Sequence, residues 1–121
     1  MNFQWALLAA TGGFAGSLLR YLISLKLPFQ TTQFAWATFS VNMLGCLLIG
    51  ILANSLDSPL WKAFLVAGIL GGFTTFSGLG LELYKYLDAG FWQRALIYAL
   101  TSFTLGTVLV YTGSKIALIW T

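Results

Sequence analysis

Four stretches of this chain run almost without charge: about Phe3 to Leu25, Phe34 to Asn54, Leu60 to Leu83, and Phe91 to Ile119. A hydrocarbon core ~30 Å thick takes about 20 helical residues to cross, so each stretch is long enough to span a bilayer. The connections, Lys26 to Gln33, Ser55 to Pro59 and Tyr84 to Gly90, are short and polar and hold both prolines. Closed β-barrels are the other structures that span membranes, but the ~10-residue alternating strands they need are absent here. Composition agrees, with 59% of residues hydrophobic and 7% charged, against roughly 25% charged in an average soluble protein. A soluble domain this small still exposes much of its chain and could not hide so much apolar surface. The expectation is one all-α membrane domain over residues 1–121.

Tryptophan placement supports these limits. Trp5, Trp36, Trp61, Trp92 and Trp120 all fall near span ends, where an amphipathic indole sits at headgroup level. Met1 to Ala10 lacks a basic leader and the apolar character continues past Tyr21, so no cleavable signal is expected. The net charge of +3 is scattered, which leaves no nucleic-acid footprint. There is no histidine, and Cys46 is the one cysteine. A histidine base, a zinc site and a disulfide framework are thereby excluded within the chain.

Connections 1–2 and 3–4 share one side of the membrane and carry Lys26, Lys85 and Arg94. The other side receives Lys62, Lys115 and the N-terminal amine. Orientation follows Lys/Arg imbalance, and here there is almost none. Either a sparse charge set decides nothing, or the chain inserts in both orientations and forms an antiparallel pair.

The third span contains Gly68, Gly71, Gly72, Gly78 and Gly80 around Thr74, Thr75 and Ser77. Each glycine costs up to ~1 kcal/mol relative to alanine in a helix interior. Their density predicts a break at mid-membrane, a device that marks ion and substrate sites where protein or a cavity satisfies the freed backbone. The alternative is close helix packing through small residues, which also describes the Gly12–Gly16 step of span 1.

Several polar groups sit where oil should surround them. Arg20 either snorkels to the interface or supports freed carbonyls or the Glu82 carboxylate. We read both Arg20 and Glu82 as structural; in a pore the bare fixed cation of Arg20 would hold an anion too tightly for release. Asn42 is either helix glue or a neutral donor in an aqueous path, and Thr38 shares its face at i, i+4. In span 4, Tyr98, Ser102 and Gly106 form one stripe and Thr101, Thr104 and Thr107 an adjacent one. Such hydroxyls either back-bond to the preceding turn or line a wet face. No nucleophile–base pair exists, and Asp57, Glu82 and Asp88 do not cluster as a proton relay. Uncharged donors at mid-membrane suit a small anion that must exchange its water without being trapped. The positive edge of the Phe76 ring adds a further option.

Three segments carry a resemblance: Gly12-Gly13-Phe14-Ala15-Gly16 through Arg20-Tyr21, Thr38 through Asn42 and Gly45, and Gly71-Gly72-Phe73-Thr74-Thr75-Phe76-Ser77 followed by Glu82. In order and spacing they resemble the CrcB/Fluc family of fluoride channels across essentially the whole chain. The resemblance implies an antiparallel dual-topology dimer in the cell membrane (a bacterial plasma membrane), with two fluoride pathways along the subunit interface. It also implies a structural Na⁺ at the dimer centre, held by backbone carbonyls at the break in span 3. By motif position those carbonyls belong to Gly71 and Thr74. Asn42 becomes the pore amide, Phe76 a pore-lining ring and Thr75 a polar group beside it. Thr38, Tyr98 and Ser102 fall on the same polar track. The implied task is passive export of fluoride from the cytoplasm, since no Walker-type segment accompanies the spans.

Two positions depart from the pattern. The family commonly places a second phenylalanine where this chain has Leu79, and Gly106 stands where a hydroxyl could continue the span 4 track. Either a homodimer conducts with fewer ligands or a paralogous subunit completes the pore; the homodimer is the expectation taken forward. The rival classes are a small multidrug-type exporter, whose only coupling acid would be Glu82, and a non-transporting scaffold whose polar residues are only glue.

Overall fold

The structure, a computed structural model, describes residues 2–121; Met1, and with it the amine counted above, lies outside them. Every described element is helical, and four helices, Phe3–Lys26, Trp36–Ser55, Pro59–Asp88 and Trp92–Trp120, are long and apolar enough to cross a membrane. Local chemistry sets their ends. Asn2 caps span 1 by accepting from the backbone N–H of Gln4 at 2.9 Å and of Trp5 at 3.4 Å, satisfying two donors of the first turn. Pro28 follows the stop at Leu27, whose backbone leaves the helical region, because the residue before a proline is crowded out of it. Pro59 opens span 3 as its first helical residue, where its missing N–H costs nothing.

Span 3 continues to Asp88, five residues beyond the sequence-based limit of Leu83, and the 3–4 connection shrinks accordingly. The reason is a well-formed terminus. Gly90 adopts φ +85°, the Phe91 N–H donates to Tyr86 O at 2.8 Å, and the Gly90 N–H donates to Leu87 O at 3.1 Å. This pair of bonds around a left-handed glycine stops a helix and turns the chain.

Inside span 3 the winding is irregular. Lys62–Leu70 is wound as a π-helix, an arrangement that is rare and concentrates at functional sites. Gly71–Phe73 follows, then Thr74 (φ −88°, ψ 158°) and Thr75 (φ −151°, ψ 116°) are extended, and helix resumes over Phe76–Asp88. Thr75 caps the resumed helix, accepting at Oγ1 from the Gly78 N–H at 2.9 Å.

Packing joins span 1 to the first half of span 3, and span 2 to span 4. Each seam has a glycine notch. A Cβ on Gly68 would stand 3.0 Å from the Gly12 Cα, and one on Gly50 would stand 3.1 Å from the Gly113 Cα. Both are closer than side chains tolerate, so backbones meet directly, as small residues allow between membrane helices. The Gly50–Gly113 approach has no motif to announce it.

A compact apolar core forms at the end carrying connections 1–2 and 3–4. Ala35, Leu79, Tyr86, Ala95 and Tyr98 are buried there, with Phe29, Phe34, Phe39, Leu83 and Phe91 packed around them. The first connection folds over this core and is tied down twice: the Tyr86 hydroxyl donates to Gln33 O at 2.6 Å, and Arg94 donates to Thr31 O. The Arg94 guanidinium also stacks 4.6 Å from the centroid of the Phe91 ring. Elsewhere the helices turn large apolar side chains outward, and the five tryptophans are all exposed near span ends. Only 11% to 28% of each span is buried within the protomer, so lipid or other protein must cover the rest.

Candidate functional site

The extended pair Thr74–Thr75 organises the middle of the molecule. In an unbroken helix the Thr75 N–H would bond Gly71 O, but it donates instead to Asn42 Oδ1 at 2.8 Å. Asn42 Nδ2 donates back to Thr75 O at 3.1 Å. Span 2 thus holds span 3 by a two-bond clasp, which a side-chain amide can make because it carries both a donor and an acceptor. One amide hydrogen of Asn42 remains beyond the clasp.

Similar exchanges follow along the chain. Gly78 N–H, the helical partner of Thr74 O, is taken by Thr75 Oγ1. The carbonyls of Gly71 and Thr74 are therefore both deprived of the amides that would meet them in a regular helix. Gly72 O loses its helical partner too, and Arg20 Nε donates to it at 3.0 Å. Of the alternatives open to Arg20, this is the contact it makes: a half-buried arm of span 1 capping a freed carbonyl. Thr74 turns its hydroxyl back to Leu70 O at 3.0 Å.

Glu82 lies one helix segment away and belongs to a different cluster. Thr38 Oγ1 donates to Oε2 at 2.9 Å, and the Tyr98 hydroxyl donates to Oε1 at 2.8 Å. Spans 2, 3 and 4 meet at this carboxylate. Tyr98 is 0% exposed, with its ring edge-on to Phe34 and Tyr86. Its proton and that of Thr38 are committed to Glu82, so in the protomer neither hydroxyl is a free donor.

Beside the break is a cavity of about 320 Å³ lined by Asn42, Cys46, Thr74, Thr75, Phe76 and Ser102 together with apolar neighbours. Among the described residues, Ser102 Oγ is the one buried side-chain polar atom with no hydrogen-bond partner. Its neighbours behave differently, since Thr101 back-bonds to Ile97 O at 2.6 Å and Thr107 to Phe103 O at 2.7 Å. Back-bonding is the usual fate of a helical hydroxyl in an apolar setting, and Ser102, a residue of the cavity lining that is 8% exposed, forgoes it. Thr75 Oγ1 and Ser77 Oγ lie 3.3 Å apart at the rim. Phe76 is 74% exposed and meets Phe103 edge to face at 6.3 Å. Leu79, by contrast, is 5% exposed and points into the apolar core as well as lining the cavity.

The structure therefore brings Asn42, Thr75, Phe76 and Ser102 to one cavity and gathers Thr38, Tyr98 and Glu82 into a separate bonded cluster. Gly71, just before the break, and Thr74, within it, line the same cavity, and Arg20 donates to Gly72 O beside them. Sequence reasoning overlooked Cys46, which lines the same cavity; its position one turn after Asn42, on the same helix face, was the available signal. No group of three or more His, Cys, Asp or Glu able to hold a metal occurs among the described residues.

Residues 7–114 match the family described as CrcB-like protein, Camphor Resistance (CrcB). The chain belongs to the CrcB family. A relative from Chlorobaculum tepidum, named fluoride-specific ion channel FluC, is 40% identical over 99% of both chains. A relative of the same name from Thermus thermophilus is 44% identical over 91% of this chain and 92% of its own length. One from Chlorobium phaeobacteroides is 39% identical over 94% and 93%. CrcB membership and four membrane-length helices make this a multi-pass membrane protein, and the CrcB relatives bear the name of a channel, not of an enzyme.

Proposed function

We propose that this chain is a passive fluoride-selective channel that works as an antiparallel homodimer in the cell membrane and lets fluoride leave the cytoplasm. The observation that carries the reading is the unpartnered hydroxyl of Ser102, buried beside Asn42 in a cavity whose lining bears no charge. Fluoride is small and strongly hydrated, so a selective path must replace its water with compact donors. Ser102 offers an O–H, Asn42 its remaining N–H, and Phe76 a ring edge of partial positive charge. Neutral donors bind an anion and still release it, which conduction requires. The cavity opens on the face that carries the exposed Phe76 and Phe103, and a second protomer packed there would close the path.

A Na⁺ at the dimer centre fits the residues present. Gly71 and Thr74 carbonyls lack their helical amide partners, and neutral oxygens are the donors a hard cation takes. Such an ion would neutralise carbonyl dipoles that Arg20 does not reach and would fix the two breaks against each other. The exporter reading has less support, because Glu82, its one candidate coupling acid, accepts from Thr38 and Tyr98 and so serves to join three spans. Purified chain, reconstituted alone into liposomes, is expected to release fluoride without a pH gradient and to exclude chloride. Fluoride release that stops when the pH gradient is collapsed would refute the channel in favour of an exporter.

A further inference from the structure

We infer that the Cys46 thiol is a further lining group of the anion path, supplying from span 2 the side chain that span 4 lacks at Gly106; the inference rests on the channel reading above. Asn42 and Cys46 lie at i, i+4 on span 2, and both line the cavity. Ser102 and Gly106 lie at i, i+4 on span 4, so two matching stripes face each other across spans that pack along their length. A Cβ placed on Gly106 would stand 3.2 Å from Cys46 Sγ and 3.4 Å from Met43 Cε. The thiol thus fills the notch the glycine leaves, one turn along the stripe from Ser102. That the cavity takes an acceptor has independent support in the buried, unpartnered Ser102 hydroxyl.

A thiol is a weak donor and a sulfur atom is bulkier than a hydroxyl oxygen. Cys46 therefore lines the path with less hydrogen bonding than a serine on span 4 would give, at a place where the anion must move on. A simple volume filler would have the same location but no need of its S–H. The two roles separate by exchanging the donor between helices while holding volume constant.

The experiment measures fluoride efflux from liposomes holding the purified full chain as wild type, Cys46→Ser, Cys46→Ala, and Cys46→Ala combined with Gly106→Ser or Gly106→Ala. Cys46→Ala is expected to slow efflux by about two- to tenfold, the range one neutral hydrogen bond covers. Gly106→Ser should restore it, Gly106→Ala should not, and Cys46→Ser should exceed wild type. Equal rescue by Gly106→Ala and Gly106→Ser would overturn the inference, as would efflux indifferent to residue 46. Should the alanine variants fail to assemble, Cys46→Ser carries the test alone, and a rate unchanged from wild type overturns the proposal. Absence of fluoride efflux from the wild type would instead refute the channel reading itself and this inference with it.

Discussion

Asn42 clasps the backbone of Thr75 from both sides, donating to its carbonyl at 3.1 Å and accepting from its N–H at 2.8 Å. One side chain thereby replaces the backbone bond that the Thr75 N–H would have made in a helix, adds a second bond to the Thr75 carbonyl, and leaves one hydrogen for other use. Support of the break and the proposed service to an anion fall to the same amide, and they come apart by substitution.

Asn42→Leu strands the Thr75 N–H, at a cost of about 1–3 kcal/mol for an unsatisfied buried donor, and removes the second bond to the Thr75 carbonyl. The variant is expected to lose both thermal stability in detergent and fluoride flux. Asn42→Asp keeps the acceptor for the Thr75 N–H but removes every N–H of the amide and adds negative charge. It should retain more stability than Asn42→Leu yet pass no fluoride. Thermal unfolding alongside efflux checks this, and an Asn42→Asp protein that still conducts would exclude the amide from the path.

Gly71 and Gly72 are adjacent but face different neighbours. A Cβ on Gly72 would lie 2.9 Å from Ser17 Oγ and 3.0 Å from Ser17 N, whereas on Gly71 the nearest atom is Val66 O at 3.7 Å. Gly72→Val should therefore spoil the seam between spans 1 and 3 and lower the yield of folded protein. Gly71→Val should leave the protomer folded and instead reduce the dimer fraction, because in the proposed homodimer the exposed Gly71 would face the partner. Light scattering of purified variants separates the two, with Leu27→Val as the exposed reference. Equal loss of folded protein from both would contradict the assignment.

Tyr98→Phe leaves Glu82 Oε1 without its donor. Hydrogen bonds to charged groups contribute about 1.5–3 kcal/mol, so a loss of that order in unfolding free energy is expected. Thr38→Val should cost a similar amount, and the double variant less than the sum, since both act on one carboxylate. Denaturant titration in detergent measures the coupling. Strict additivity would show that Thr38 and Tyr98 do not work through Glu82.

How much of this was legible in the sequence follows from the range of the forces involved. Span number and tryptophan placement depend on hydropathy and length, which are local, and both were readable. The end of span 3 was not, because it depends on Gly90 turning and on Tyr86 finding Gln33 in a distant connection. Asn42 and Ser102 stood out as polar groups in oil, but the clasp on Thr75 requires knowing which helix faces which. The same holds for Thr38 and Tyr98, whose stripe positions marked them as polar without revealing that Glu82 takes both protons. Cys46 was passed over because an isolated cysteine in an apolar run usually behaves as a small hydrophobe. Only the notch at Gly106 gives it a neighbour that matters.

Two hydroxyls one turn or so apart offer the most direct test that unpaired neutral donors carry the anion. Ser102 lines the cavity and its buried hydroxyl has no partner, while Thr107 spends its own proton on Phe103 O. Fluoride efflux should fall by about an order of magnitude in Ser102→Ala, the cost of about 1.4 kcal/mol at a conducting step, and stay at the wild-type rate in Thr107→Ala. Wild-type efflux from a folded, dimeric Ser102→Ala protein would contradict the account.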